Sequence, residues 1–189
     1  MDITGCILAG GQGSRMGGVD KGLVTFQQRP LIDHVINRLQ PQVTEILINA
    51  NRHLDTYSAL GYPVIHDYIE LYSGPLAGIE RGLYAAKTDW VAFVPCDSPF
   101  IPLHLVDSLS KAVTEQQSQC AYVVTQEGAQ PVFCLIQRQL HNDLLETLKA
   151  GNKKLIHWLQ KHACSEVFFD NSELFINLNT TTELEHYNR

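Results

Sequence analysis

The run Ile7-Leu8-Ala9-Gly10-Gly11-Gln12-Gly13-Ser14-Arg15-Met16-Gly17-Gly18-Val19-Asp20-Lys21-Gly22 joins the end of a hydrophobic segment, residues 3–9, to a glycine-rich loop that carries an arginine and a lysine. Six of the chain's thirteen glycines fall between Gly10 and Gly22, so bare backbone N–H groups can be brought against anionic oxygens without interference from a Cβ. Arg15 adds a bidentate fork and Lys21 a point charge. A loop so equipped suits a polyphosphate. Two commoner glycine motifs are excluded. A P-loop needs Gly-Lys followed by Ser or Thr, whereas Lys21 lies between Asp20 and Gly22. The dinucleotide fingerprint needs a third glycine where Met16 stands, and the next predicted strand ends in Asn49 rather than in an acid that would hold a ribose.

Working outward, apolar runs and helical patterns alternate. Residues 3–9, 45–49, 64–66 and 90–95 are short, rich in β-formers and bounded by Gly, Pro, Asn or Asp, as buried parallel strands are. Between them, residues 31–40 carry apolar side chains at 31, 32, 35, 36 and 39, and residues 76–86 and 103–117 read as further helices. This βαβ series predicts an α/β fold, a doubly wound and mainly parallel sheet, with its ligand at the carboxyl ends of the strands. The glycine loop, Asn49, Asp67 and Asp97 each follow or close a different predicted strand and so belong on one edge of the sheet. Past residue 120 the pattern changes: residues 121–125 and 132–136 read as strands separated by a turn at 126–129, a small antiparallel insertion in the C-terminal half. Residues 142–160 read as helical with a break near Gly151, and residues 181–187 as a terminal helix capped by Thr180.

With 189 residues, 44% of them hydrophobic and 18% charged, the chain is expected to be one globular domain over 1–189. No apolar run approaches the roughly 20 residues of a membrane-spanning helix, and Met1-Asp2 lacks the basic start of a signal peptide, so a cytoplasmic protein is expected without a membrane partner. Fourteen basic against twenty acidic residues give a net charge of −6, which argues against nucleic acid as a partner. The lysines at 153, 154 and 161 form only a local basic patch, read as a solvated helix face that could also receive an anionic phosphate. Cys6, Cys96, Cys120, Cys134 and Cys164 show no Cys-x-x-Cys spacing, so neither a zinc site nor a disulfide frame is expected; Cys6 and Cys134 read as core residues and Cys96 as a packing residue. The eight histidines form no His-Glu-x-x-His pair.

Asp97 is the candidate metal ligand, because it is the only carboxylate within seven residues on either side and it follows a hydrophobic strand. Magnesium takes one or two carboxylates and completes its octahedron with phosphate oxygens and water. The competing reading is a cap on the helix that follows. Asp67 has two readings as well, a structural turn residue or a ligand contact. Leu8, Ala9 and Gly10 can offer backbone groups to the edge of a purine, and Asn49 offers a paired donor and acceptor. Gly74 and Gly78 allow close backbone approach or mark a plain turn. Asn177 and Asn179 point to the same side if residues 175–179 are extended.

Leu8-Ala9-Gly10-Gly11, Arg15-Met16-Gly17-Gly18-Val19-Asp20-Lys21, Asn49-Ala50-Asn51-Arg52-His53, Gly74-Pro75-Leu76-Ala77-Gly78, Pro95-Cys96-Asp97-Ser98-Pro99, Gln130-Pro131-Val132-Phe133 and Asn177-Leu178-Asn179-Thr180 span nearly the whole chain. Together they resemble the molybdenum cofactor guanylyltransferases, within the nucleotidyltransferases of Rossmann-like fold. The resemblance implies transfer of GMP from GTP to the terminal phosphate of molybdopterin or molybdenum-molybdopterin, with release of pyrophosphate. It implies Mg2+, with Mn2+ as the alternative, held by Asp97. Arg15, Lys21 and Asp97 would be catalytic, and Leu8, Ala9, Gly10, Gly11, Gly13, Asn49, Asp67, Gly78, Asn177 and Asn179 would bind the substrates. Asp67 would meet the ribose or assist at the metal, and any contact with cofactor-assembly proteins or recipient enzymes would be transient. One departure stands out: family members often have Asn-Thr-Pro where this chain has Asn179-Thr180-Thr181. The alternatives are nucleotidyl transfer with CTP or to another phosphate ester, and a nucleotide- or cofactor-binding module without turnover.

Overall fold

The computed structural model describes residues 1–11, 19–68, 74–152, 154–179 and 181–187. Gly13, Arg15, Lys153 and Thr180 lie outside them. β1 (Ile3–Leu8), β4 (Glu45–Asn49), β5 (Val64–Ile65) and β6 (Trp90–Pro95) form the parallel half of a seven-stranded sheet of order β5-β4-β1-β6-β8-β7-β9. β1 is buried along nearly its whole length because it pairs on both sides.

Alternation along the strands splits the apolar side chains between two faces. Ile3 and Ile7 of β1 with Ala92 and Val94 of β6 meet α1 (Leu31–Leu39) and α4 (Leu105–Gln116) on one face. Cys6, Val91 and Phe93 meet α3 (Pro75–Ala85), α5 (His141–Lys149) and α6 (Leu155–Lys161) on the other. The sheet is therefore doubly wound and mainly parallel, as the βαβ pattern predicts. α3 lies close upon it because glycines face it: a Cβ on Gly82 would come within 2.5 Å of Phe93 and 2.9 Å of Cys6.

The antiparallel part is not set beside the parallel sheet but continues it. β8 (Gly128–Gln137) pairs antiparallel with both β6 and β7 (Cys120–Thr125), and β9 (Ser165–Phe168), which residue patterning does not reveal, runs parallel to β7 at the edge. The 126–129 turn shortens as well, since β8 begins at Gly128. A two-stranded hairpin, β2 (Thr25–Phe26) with β3 (Arg29–Pro30), follows the glycine loop, and the short α2 (Leu54–Ser58) follows β4; neither is apparent from periodicity because the hairpin has only two residue pairs and the helix fewer than two turns. The cysteine expectation is corrected. Cys120 and Cys164 are disulfide-bonded across 44 residues, with Cα atoms 4.7 Å apart, because the β7–β9 register sets Ala121 opposite Ser165 and so makes the preceding residues neighbours. Cys6, Cys96 and Cys134 are free and buried, which agrees with packing roles.

Candidate active site

Four strand ends meet along one edge. Ala9 N–H donates to the Asn49 carbonyl at 2.7 Å and Ala50 N–H to the Ile65 carbonyl at 2.8 Å, and Cys96 N–H reaches the Leu8 carbonyl at 3.1 Å. Gly10, Gly11, Asn49, Asp67 and Asp97 are thereby gathered, as the strand-end argument anticipates.

On the β4–β5 side the polar groups lock one another. Asn49 Nδ2 donates to Asp67 Oδ1 at 2.9 Å, and Asn51 Nδ2 donates to Asp67 Oδ2 at 2.8 Å and to the Gly10 carbonyl at 3.1 Å. Asp67 N–H donates in turn to Asn51 Oδ1 at 2.9 Å, and Arg52 Nη2 to the Gly11 carbonyl at 3.2 Å. Asn49 is 1% exposed, so its amide is committed to Asp67. Gly78 serves that packing: a Cβ there would sit 2.5 Å from Asn49 Oδ1 and 2.9 Å from Leu8. Gly74 at φ 123° caps the start of α3 ahead of Pro75, which is the turn reading of that pair.

On the β6 side the charges are left poised. Asp97 is buried and its Oδ2 lies 3.5 Å from Lys21 Nζ. Burial pushes its carboxyl above the usual carboxylate range, against the pull of Lys21 and of a backbone hydrogen bond. It does not cap α4, whose N-cap is His104 without a side-chain bond. Lys21 opens a 3-10 turn, Lys21–Leu23, and its Nζ also donates to Asn179 Oδ1. The chain is extended at Ile176 and then crosses the loop after β6: Leu178 N–H donates to the Asp97 carbonyl at 2.9 Å, and Ser98 Oγ donates to Asn177 Oδ1 at 2.6 Å. Leu178 and Leu184 anchor this strap by packing with Phe26 and Leu31 of the β2–β3 hairpin region. Asn177 and Asn179 thus stand beside Asp97 and Lys21.

Sequence reasoning passes over Asp20, Asn51, Tyr57, Ser98 and Glu183. Asp20, Asn51 and Ser98 lie within the quoted motifs beside residues already singled out, whereas Tyr57 and Glu183 carry no such signal. Glu183 Oε2 accepts from Asn179 N–H at 2.7 Å, a contact that exists only once α7 (Thr181–Tyr187) is placed.

Among the described residues the arrangement offers a lysine ammonium beside a buried carboxylate, with no activated nucleophile next to them, which suits transfer between phosphates. Comparison with known proteins points the same way. Residues 5–166 match the MobA-like NTP transferase domain. A molybdenum cofactor guanylyltransferase from Ralstonia pickettii is 48% identical over 97% of this chain and 94% of that protein, and one from Polynucleobacter asymbioticus is 45% identical over the same shares. The solved structure of molybdopterin-guanine dinucleotide biosynthesis protein A from Archaeoglobus fulgidus shares the fold, with a TM-score of 0.76, at 18% identity over 97% of this chain and 95% of that one.

Proposed function

Since the chain belongs to the MobA-like NTP transferase family, we propose that it transfers GMP from GTP to the terminal phosphate of molybdopterin, forming the guanine dinucleotide and releasing pyrophosphate. An oxygen of the acceptor phosphate forms a bond to the α-phosphorus of GTP. The bond from that phosphorus to the oxygen bridging the β-phosphate breaks, and pyrophosphate leaves with the electron pair. A phosphate monoester carries about −1.5 to −2 charge near neutral pH, so no general base is required to activate it. What the protein must do is bring two anions together and stabilise the leaving charge.

The observation that carries this reading is Lys21 Nζ set between Asp97 and Asn179 at the edge where the glycine loop ends. Lys21, and Arg15 by its place in the loop, supply cations to the phosphates. Asp97 suits a divalent ion, Mg2+ or Mn2+: its carboxylate is buried and, among the described residues, Lys21 is the one side chain on its Oδ2, whereas both oxygens of Asp67 are taken by Asn49 and Asn51. A magnesium ion needs only one or two carboxylates, phosphate oxygens and water completing its octahedron. When bound, such an ion neutralises triphosphate charge. Leu8, Ala9, Gly10 and Gly11 line the nucleotide side, Gly13 is assigned to the same role by its place in the sequence motif, and Asp67, fixed by its two amides, faces the ribose. Asn177 and Asn179 take the acceptor. No helix among the described residues is long and apolar enough to cross a membrane, and a cytoplasmic location is in keeping with that.

The test is pyrophosphate release with each of the four nucleoside triphosphates, with and without molybdopterin. Release that requires both GTP and molybdopterin supports the proposal. Equal rates with CTP, or release indifferent to molybdopterin, overturn it.

A further inference from the structure

Lys21 owes its position to contacts that its own side chain does not make. Asp20, the residue before it, is a carboxylate only 7% exposed, and its Oδ1 accepts a 2.5 Å hydrogen bond from the hydroxyl of Tyr57. Tyr57 is fully buried and sits on α2, between the ends of β4 and β5. Gly22, the residue after Lys21, lies directly against the same hydroxyl. A Cβ at Gly22 would fall 2.6 Å from Tyr57 Oη and 3.2 Å from Cys96 Sγ. Cys96 is the neighbour of Asp97, and its backbone N–H is tied to Leu8. One phenol therefore touches the residues on either side of Lys21, and through Gly22 that turn rests against the side chain of Cys96, the residue next to Asp97. The 3-10 turn itself is closed by Leu23 N–H on the Asp20 carbonyl and Val24 N–H on the Lys21 carbonyl, both at 3.1 Å. Turning Asp20 would therefore turn Lys21.

We propose that Tyr57 is a positioning residue: through its hydrogen bond to Asp20 and its contact with Gly22 it holds the Lys21 ammonium in register with Asp97, so that the cation is in place before the nucleotide arrives. The phenol is suited to this because it is a permanent donor. Burial, with Cys96 and Asp20 beside it, pushes its pKa well above the ordinary tyrosine range. Tyr57 acts through Lys21 and touches no reacting atom. Its kinetic consequence rests on the transferase reading above; its structural consequence does not.

The experiment pairs Tyr57→Phe with Lys21→Ala. A displacement of order 1 Å in a catalytic group costs on the order of 10²-fold, so Tyr57→Phe should lower kcat by roughly 10–100-fold. KM for GTP should move less than about threefold, since the loss is of transition-state stabilisation. In the Lys21→Ala background the same substitution should change kcat less than about twofold, because the group it positions is gone. Independently of turnover, competitive acetylation with acetic anhydride, read by peptide mass spectrometry against the exposed Lys111, should show Lys21 several-fold more reactive in Tyr57→Phe than in the wild type. If Tyr57→Phe does not fold, the Asp20→Asn/Tyr57→Phe double variant removes the carboxylate left without its donor, and the same readouts apply. Equal fractional losses of kcat in both backgrounds, or unchanged Lys21 labelling, overturn the proposal. Wild-type protein that gives no pyrophosphate with GTP and molybdopterin would instead overturn the transferase reading, and the labelling would still decide the role of Tyr57.

Discussion

The loop after β6 and the α5–α6 pair each hold an aspartate near a lysine, and the two carboxylates are treated in opposite ways. Asp143 is 38% exposed at its side chain, yet its oxygens meet Trp158 Nε1 at 2.8 Å, His162 Nε2 at 2.7 Å and Lys161 Nζ at 3.2 Å. Burial acts to raise its pKa, but the hydrogen bonds from His162, Trp158 and Lys161 outweigh it and hold the carboxyl at about 2. Asp97 is more deeply buried and, among the described residues, meets one side-chain cation, Lys21, at the longer distance of 3.5 Å, and burial wins. Where donors saturate a carboxylate the charge stabilises the fold. Where they do not, the charge is costly to keep, and its remaining oxygen sites are open to a ligand.

The comparison is broken most sharply by Asp97→Asn. Turnover should fall by about 10³-fold or more, the several kcal/mol attributed to a bound divalent ion, while far-ultraviolet circular dichroism stays unchanged. The sign of the stability effect follows from the pKa. A folded-state value above the unfolded one means that the native state holds the proton more tightly, so stability falls as pH rises through that interval, and at neutral pH the ionised Asp97 costs stability. Asp97→Asn should therefore melt no lower than the wild type at pH 7, and a clear drop in Tm would make Asp97 a structural carboxylate like Asp143.

Next in size is Lys21→Ala, expected to slow transfer by roughly 10²–10³-fold, the effect of removing one preorganised charge-stabilising donor. Lys21→Arg should recover only part of this. A raised KM for GTP at unchanged kcat would assign Lys21 to uniform binding.

Asn179→Ala should lower affinity for molybdopterin by a factor on the order of 10–150, from about 1.5–3 kcal/mol for one hydrogen bond to a charged partner. GTP affinity should change far less. Equal losses in separate titrations would tie Asn179 to the nucleotide through its contact with Lys21.

The smallest effect belongs to Asp143→Asn. Its folded pKa lies below the unfolded value, so its contribution is present above about pH 4 and is lost as pH falls toward 2. With the side chain 38% exposed, solvent screening limits that contribution to about 1 kcal/mol. Denaturant melts of variant and wild type should differ at pH 7 and converge near pH 2, with kcat unaffected throughout.

Much of this was written locally. The ends of β4 and β6 follow from apolar runs that stop at Asn49 and Pro95, and the start of α1 from a helical apolar pattern that begins after Pro30, because strand and helix periodicities act over a few residues. β9 and the hairpin after the glycine loop have no such mark; β9 exists because the edge of β7 was available to pair with, and the hairpin because its two short strands pair with each other. The same division runs through the site. Asp97 could be singled out by having no rival carboxylate near it, whereas nothing local pairs Asp20 with Tyr57, and the hydrogen bond from Asn49 to Asp67 forms only once β4 and β5 lie side by side.

By itself the sequence determined the alternation of strand and helix, the glycine loop at the end of the first strand, and hence the edge on which a polyphosphate is met, since each depends on backbone preferences and burial patterns within a dozen residues. Only the tertiary structure decided which side chains join there. Tyr57 reaches Asp20 across 37 residues, Lys21 reaches Asp97 across 76 and Asn179 across 158, and Cys164 comes to lie beside Cys120 across 44. Such pairings are chosen by the register of strands and the packing of helices on both faces of one sheet, and no local preference encodes them.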